Sequence, residues 1–249
     1  MSVVVAIPAR LASTRLPRKV VLDLGGKPVV RHVWEKVRRM KTADRIVVLA
    51  DSDEVAALAT GFGAEVLMTD PACASGTERL ASVLGVLPGD FFLNVQGDEP
   101  FIDPELLDAL VACWRESRCR VVTAVARIES ADRLANPNTV KVVRALNGRA
   151  IYFSRSAVPY LRGVPLAEWP GRQAYWSHIG VYGYDRATLE EYPGMPATAI
   201  ERIESLEQLR FVEHGLDIRT VETRYHPVAI DTPEDLERAR ALLAAGAIG

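Results

Sequence analysis

Residues 3–7 (VVVAI) form an unbroken apolar run that stops at Pro8. A short apolar run bounded by a turn signal fits a strand buried on both faces. Further buried strands are expected over 46–50, 65–69 and 91–95, the last two built on shorter apolar runs. Between them the period changes. Val29, Val30, Val33, Val37 and Met40 recur at helical spacing after the Gly25-Gly26 turn, which predicts a helix over 28–40 with Pro28 in its first turn. Helices are also expected over 53–62 and 77–87. Asp103-Pro104-Glu105 combines a capping Asp, a Pro at the first helical position and an acid at the positive end of the dipole. Strands alternating with helices imply an α/β fold: a mostly parallel sheet, covered on both faces, that binds ligands at the carboxyl ends of its strands. The loops after Ile7, Ala50, Thr69 and Val95 are expected along one edge.

After Val121 the pattern becomes β-rich. Strands are expected over 121–128, 140–145, 150–153 and 178–184, with a hairpin turn at Asn147-Gly148. The stretch 162–176 is rich in Pro, Gly and aromatic residues and reads as a long loop. A helix over 201–214 would point Ile203, Leu206, Leu209 and Val212 inward. Strands over 219–222 and 228–230 follow, and Thr232-Pro233-Glu234 starts a closing helix. No internal repeat or low-complexity linker separates these parts. The expectation is one domain over 1–249, with inserted strands and a loop over about 121–195.

Composition narrows the partners. The net charge is −2, so no global basic field would hold nucleic acid. No apolar run reaches the roughly 18 residues of a membrane span. The first residues lack a basic leader and Arg10 interrupts the apolar run, unlike a secretory signal. Cys73, Cys113 and Cys119 are odd in number and lack metal-ligand spacing, which suits reduced thiols in a cytoplasmic protein with structural roles.

Local clusters carry the candidate chemistry. Arg10, Arg15 and Lys19 follow the first strand, and the small residues Ala9, Ala12, Ser13 and Thr14 would let backbone N–H groups approach a ligand. Such a loop suits a polyphosphate. It is neither a Walker loop nor a dinucleotide fingerprint, and a solvated basic loop is the alternative. In NVQGDEP, Asp98 and Glu99 follow a strand, where carboxylates can hold Mg²⁺ or simply cap a turn. Asp231 ends the run before Thr232 and could merely assist capping. If adjacent strands bring Asp98 and Asp231 together beside the cationic loop, they form a metal–phosphate site. Ser75 or Thr77 could cap a helix, and Arg79 near its start is a surface side chain or an anion contact. His178 reads as a satisfied structural residue, Glu207 and Gln208 as solvated polar positions. His32, His214 and His226 receive no role, and no covalent nucleophile is read from spacing.

Taken in order, IPARLASTRLPRK, SGTERL, NVQGDEP, NPNTVKVV, YFSR, HIGVYGY, IESLEQLR and DTPEDLERAR resemble the 3-deoxy-manno-octulosonate cytidylyltransferases, also called CMP-Kdo synthetases, from Val3 to about Arg240. The resemblance implies a Rossmann-like nucleotidyltransferase fold with an inserted dimerisation region. It implies transfer of CMP from CTP to the anomeric hydroxyl of the sugar acid Kdo, with release of pyrophosphate, for lipopolysaccharide biosynthesis. Mg²⁺ dependence and a homodimer are implied as well. A related acceptor, 8-amino-Kdo or a sialic acid, is the alternative. By matching position, Arg10 and Lys19 would contact the triphosphate, and Asp98 and Asp231 would bind Mg²⁺. Nucleotide contacts would include Pro8, Ala9, Arg15, Ser75 and Gly76. Arg79, Gln96, His178, Tyr182, Glu207 and Gln208 would line the sugar-acid pocket. The chain departs from the family at Arg18, where Gly is usual, at Val20, where Pro is usual, and at Tyr225-His226-Pro227, which replaces a glycine-bearing turn.

Overall fold

In a computed structural model, which describes residues 1–13 and 15–246, the first apolar run becomes the strand β1 (Val3–Ala9), completely buried at Val3, Val5 and Ile7. Thr14 lies outside the described residues. The elements continue with a small hairpin of β2 (Asp23–Leu24) and β3 (Lys27–Pro28), then α1 (Val29–Val37), β4 (Arg45–Ala50), α2 (Asp53–Gly61), β5 (Glu65–Met68), α3 (Gly76–Ser82), β6 (Phe91–Asn94) and α4 (Pro104–Ser117). Next come β7 (Val121–Ile128), α5 (Ala131–Ala135), β8 (Lys141–Arg144), β9 (Ala150–Ser154), α6 (Trp169–Arg172) and β10 (Tyr175–Asp185). The chain closes with α7 (Arg186–Glu191), α8 (Ala199–Glu204), α9 (Gln208–Glu213), β11 (Ile218–Thr223) and α10 (Pro233–Ala244). It divides into two compact units, Met1–Val111 joined by the segment from Pro227 onward, and Ala112–His226.

In the first unit β6, β1, β4 and β5 lie side by side, and the ladders joining these four are parallel. The connecting helices start where side chains satisfy their free N–H groups. Ser52 accepts from Val55 at 3.4 Å and Ser75 from Glu78 at 3.1 Å, while Thr232 and Asp235 form a reciprocal capping box at the start of α10. Leu24, Val29, Phe101, Ile230, Leu236 and Ala239 form a core cluster that seats α10.

In the second unit β11 runs parallel to β7, while β10 runs antiparallel to both β7 and β8, and β8 and β9 form the hairpin whose turn holds Gly148 at φ +83°. The aromatic stretch is not all loop: α6 begins at Trp169, which is buried with Ile128, Leu134 and Tyr175. The uninterrupted helix expected over 201–214 is instead two, separated at Ser205 with φ +51°. The break has a tertiary cause. It turns the Glu204 and Ser205 carbonyls toward the Arg155 guanidinium, at 2.7 and 3.2 Å, and the Glu204 carboxylate accepts from Ser154 and the Arg155 N–H. Ile203, expected inward, is therefore 82% exposed. Residues 228–230 do not form a strand.

Candidate active site

The cationic loop leaves β1 at Ala9. Its neck is closed by Arg18 N–H donating to Leu11 O at 2.9 Å, and Leu11 N–H donates to the buried Asp51 carboxylate at 3.1 and 3.2 Å. Arg18, the residue standing where the family usually has Gly, adopts φ +63°, a left-handed conformation that glycine takes at least cost. Its guanidinium is held by Glu54 at 2.8 Å, so it is turned to α2. Lys19 then opens a 3₁₀ turn in which Val20, standing where the family usually has Pro, is 2% exposed.

Lys19 places its ammonium between two acids. It pairs with Asp98 and lies 2.8 Å from Asp231 Oδ1, and Arg15 reaches Asp231 Oδ2 at 2.9 Å. Burial opposes the lysine's charge, but Asp98 and then Asp231 raise its pKa above the usual value, so it is protonated at neutral pH. The two acids meet, but not as ends of adjacent strands. Asp231 follows a non-strand segment in which Ile230 packs into the core and donates its N–H to Asp98 O at 3.0 Å. Among the described residues, no group of three or more His, Cys, Asp and Glu side chains forms a metal cage.

A narrow cleft of about 70 Å³ gathers Pro8, Arg10, Lys19, Ser75, Gly76, Arg79, Gln96 and Asp98, with Val20, Cys73 and Gly97. Arg10 is exposed; Ala9 is fully buried and does not line the cleft. Ser75 spends its hydroxyl on capping α3. Two glycines permit close approach here. A Cβ on Gly97 would stand 2.6 Å from the Pro8 carbonyl oxygen, and one on Gly76 would stand 3.1–3.2 Å from Asn94 and Pro8. Arg79 is only 1% exposed. It donates through Nη1 to the Thr69 hydroxyl and to Asp70 O at 3.1 Å, leaving Nη2 buried with no hydrogen-bond partner among the described residues. An unsatisfied guanidinium nitrogen is costly unless a ligand completes it. Asn94 and Asp51 were not singled out in the sequence. Asn94 is 1% exposed with no hydrogen-bond partner for Oδ1 among the described residues, and each is the first polar residue after an apolar run, a signal that was legible.

His178, Tyr182, Glu207 and Gln208 belong to the second unit. His178 bonds through Nε2 to Thr123 Oγ1 at 2.9 Å, between the rings of Phe153 and Tyr182 at 5.3 and 5.2 Å. Part of the residue stays accessible, yet burial lowers its pKa to about 3, and the imidazole is neutral. Burial, with the nearby Glu207 charge, raises the Tyr182 phenol well above its usual value. The reading of Glu207 and Gln208 as solvated is corrected. Glu207 accepts from the Tyr192 hydroxyl at 3.1 Å, and Gln208 is 3% exposed with no hydrogen-bond partner for Nε2 among the described residues. The break at Ser205 starts α9 afresh at Gln208.

Comparison with known proteins shows the family. Residues 4–218 match the cytidylyltransferase family model. The chain is 43% identical over 245 residues to the 3-deoxy-manno-octulosonate cytidylyltransferase of Myxococcus xanthus, covering 97% of this chain and 96% of that one. It is 42% identical to the protein of the same name from Geobacter sulfurreducens, covering 96% and 98%. A solved structure of CMP:2-keto-3-deoxy-manno-octonic acid synthetase complexed with CTP superposes with a TM-score of 0.93 at 38% identity, covering 99% of this chain and all of that one. With near-complete coverage by both sequence and structure, the chain belongs to the 3-deoxy-manno-octulosonate cytidylyltransferase family.

Proposed function

We propose that this protein transfers CMP from CTP to the anomeric hydroxyl of Kdo and releases pyrophosphate. The observation that carries the reading is the meeting of Asp98 and Asp231 on the Lys19 ammonium. A reaction at phosphorus depends mainly on charge neutralisation and alignment, and this cluster supplies both acids and cations.

Asp98 and Asp231 would hold Mg²⁺. Two carboxylates suit a hard cation that completes its shell with water and phosphate oxygens, and these two already stabilise a cationic group between them. When bound, the ion would neutralise charge at the α-phosphate and acidify the attacking hydroxyl. Lys19, Arg10 and Arg15 would stabilise charge on the departing pyrophosphate. Ser75 and Gly76, with Pro8 and Ala9, would lie beside the nucleotide. Arg79 Nη2 would pair with the acceptor's carboxylate, and Gln96, His178, Tyr182, Glu207 and Gln208 would bind sugar hydroxyls. The unpartnered atoms of Arg79 and Gln208 support that assignment.

Incubation with CTP, Mg²⁺ and Kdo, 8-amino-Kdo or a sialic acid tests the reading through pyrophosphate release. Kdo should react fastest. Release with another acid but not with Kdo would replace the acceptor and keep the reaction class. No release with any of them would defeat the proposal. A cytoplasmic homodimer serving lipopolysaccharide synthesis goes with it on the strength of the resemblance, and light scattering at twice 27.3 kDa is the expected mass.

A further inference from the structure

Beyond the cytidylyl chemistry, the end of α4 brings two thiols together. Arg118 takes φ +56° and its N–H returns to Trp114 O at 2.9 Å, a left-handed helix end that folds the chain back on itself. Ser117 then links the two cysteines: its hydroxyl lies 2.6 Å from Cys113 O and 3.0 Å from Cys119 Sγ, and Cys119 N–H donates to Ser117 Oγ at 3.3 Å. Both cysteines are half-buried rather than sealed in a core. Cys119 lines a cavity of about 850 Å³ together with Arg118, Arg120, Arg149 and Arg219, against the carboxylates of Glu191 and Asp217. Four guanidinium groups against two carboxylates leave the wall cationic.

We propose that Cys119 and Cys113 form a reactive dithiol, in which Cys119 attacks an anionic low-molecular-weight disulfide drawn to the arginine-lined cavity and Cys113 resolves the product. In the first step the Cys119 thiolate bonds to one sulfur of the disulfide, the old S–S bond breaks, and one small thiolate leaves and takes a proton from water. In the second step Cys113 gives its proton to solvent and attacks Cys119 Sγ, expelling the second small thiolate. Two protein thiols are oxidised to one disulfide, and one small disulfide is reduced to two thiols.

The chemistry of the pair suits this order. The hydrogen bond from Cys113, with that from Ser117, lowers the Cys119 pKa to about 7, where a thiol attacks disulfides most effectively near neutral pH. The hydrogen bond to Cys119, burial and the Cys119 charge raise Cys113. Once Cys119 is in a mixed disulfide its negative charge is gone, and one cause of that rise goes with it. Cys73, buried beside the other unit's cleft, has no such partner among the described cysteines and serves as the internal reference.

The test uses the reduced full chain with glutathione disulfide, which carries carboxylates, and with cystamine, which is cationic. Intact mass should fall by two hydrogens with the bond mapped to Cys113 and Cys119, and glutathione disulfide should react about tenfold faster than cystamine at low salt. Cys113→Ser should trap the glutathione adduct on Cys119, and Cys119→Ser should form no adduct at Cys113. Because either variant could fold poorly, trace iodoacetamide at pH 7 on the unaltered protein gives a second reading: Cys119 should be labelled well before Cys113 and Cys73. Equal labelling of the three, adduct on Cys73 first, or no internal bond would overturn the dithiol. A cystamine rate equal to or above that of glutathione disulfide would overturn the docking role of the arginines.

Discussion

Lys19 Nζ lies 2.8 Å from Asp231 Oδ1 while also pairing with Asp98, so one buried ammonium joins carboxylates from distant parts of the chain. The lysine's raised pKa records how strongly the acids favour a cation at that spot, against the cost of burying it. Asp98→Asn and Asp231→Asn should each lower kcat by about 10²–10³. Because both acids would serve one cation, the double variant should lose little more than either single one. Steady-state pyrophosphate release at saturating CTP and Mg²⁺ checks this, and multiplicative losses would mean that the two acids act separately.

Arg79 yields a prediction about binding rather than turnover. Its Nη1 is committed to Thr69 and Asp70, and its Nη2 has no hydrogen-bond partner among the described residues. Arg79→Lys keeps a charge but loses the fork that can hold both the protein and a carboxylate. A lost charge-assisted hydrogen bond of about 1.5–3 kcal/mol corresponds to a rise of roughly 10- to 100-fold in KM for the sugar acid. KM for CTP should change much less. An unchanged acceptor KM would remove Arg79 from the acceptor pocket.

Arg18 tests the backbone of the cationic loop. Its φ of +63° costs a side-chain-bearing residue about 1 kcal/mol, and its ion pair with Glu54 joins two side chains that are 56% and 44% exposed, so that pair offsets little. Arg18→Ala and Arg18→Gly both lose the pair, but only glycine escapes the strain. Arg18→Gly should therefore be more stable than Arg18→Ala by about 1 kcal/mol in urea denaturation, despite glycine's greater unfolded-state freedom. The reverse order would contradict a left-handed Arg18.

How much of this was legible in the residues follows from where the information lies. Buried parallel strands announce themselves as short apolar runs, and the cap–Pro–acid starts of α4 and α10 are local chemistry, so both could be read directly. The missing glycine at position 18 was visible too, but the conformation of the arginine that replaced it was not. The break at Ser205 was hidden because the spacing of Leu206 and Leu209 continues through it; its cause is Arg155, some fifty residues away. Arg79 shows the same limit. Its charge suggested a surface or an anion, while its burial depends on Thr69 and Asp70 in three dimensions. Asp231 was placed beside Asp98 by expecting a strand, yet what brings them together is the Ile230 N–H on Asp98 O, the packing of Ile230 in the core and the Lys19 ammonium between the carboxylates. The Cys113–Cys119 pair has no sequence signature at all, because the left-handed turn at Arg118 creates it.

His178 makes stability depend on pH in a defined direction. In the folded chain burial lowers its pKa to about 3, whereas an exposed histidine has the usual value of 6.5. Between those values the unfolded chain binds a proton that the folded chain refuses, so acid favours unfolding. The stabilising contribution is fully present above pH 6.5 and is lost as pH falls through that value toward 3. Across the middle of the window one residue can account for about 1.4 kcal/mol per pH unit. His178→Gln keeps a group able to bond Thr123 but cannot titrate, so its unfolding free energy should fall less steeply between pH 6 and pH 5 than that of the unaltered protein. The difference between the two slopes isolates the histidine from the carboxylates, which titrate in both proteins. Parallel slopes would show that His178 is solvated well enough to take up a proton in the folded state, and the neutral imidazole assigned to it would have to be abandoned.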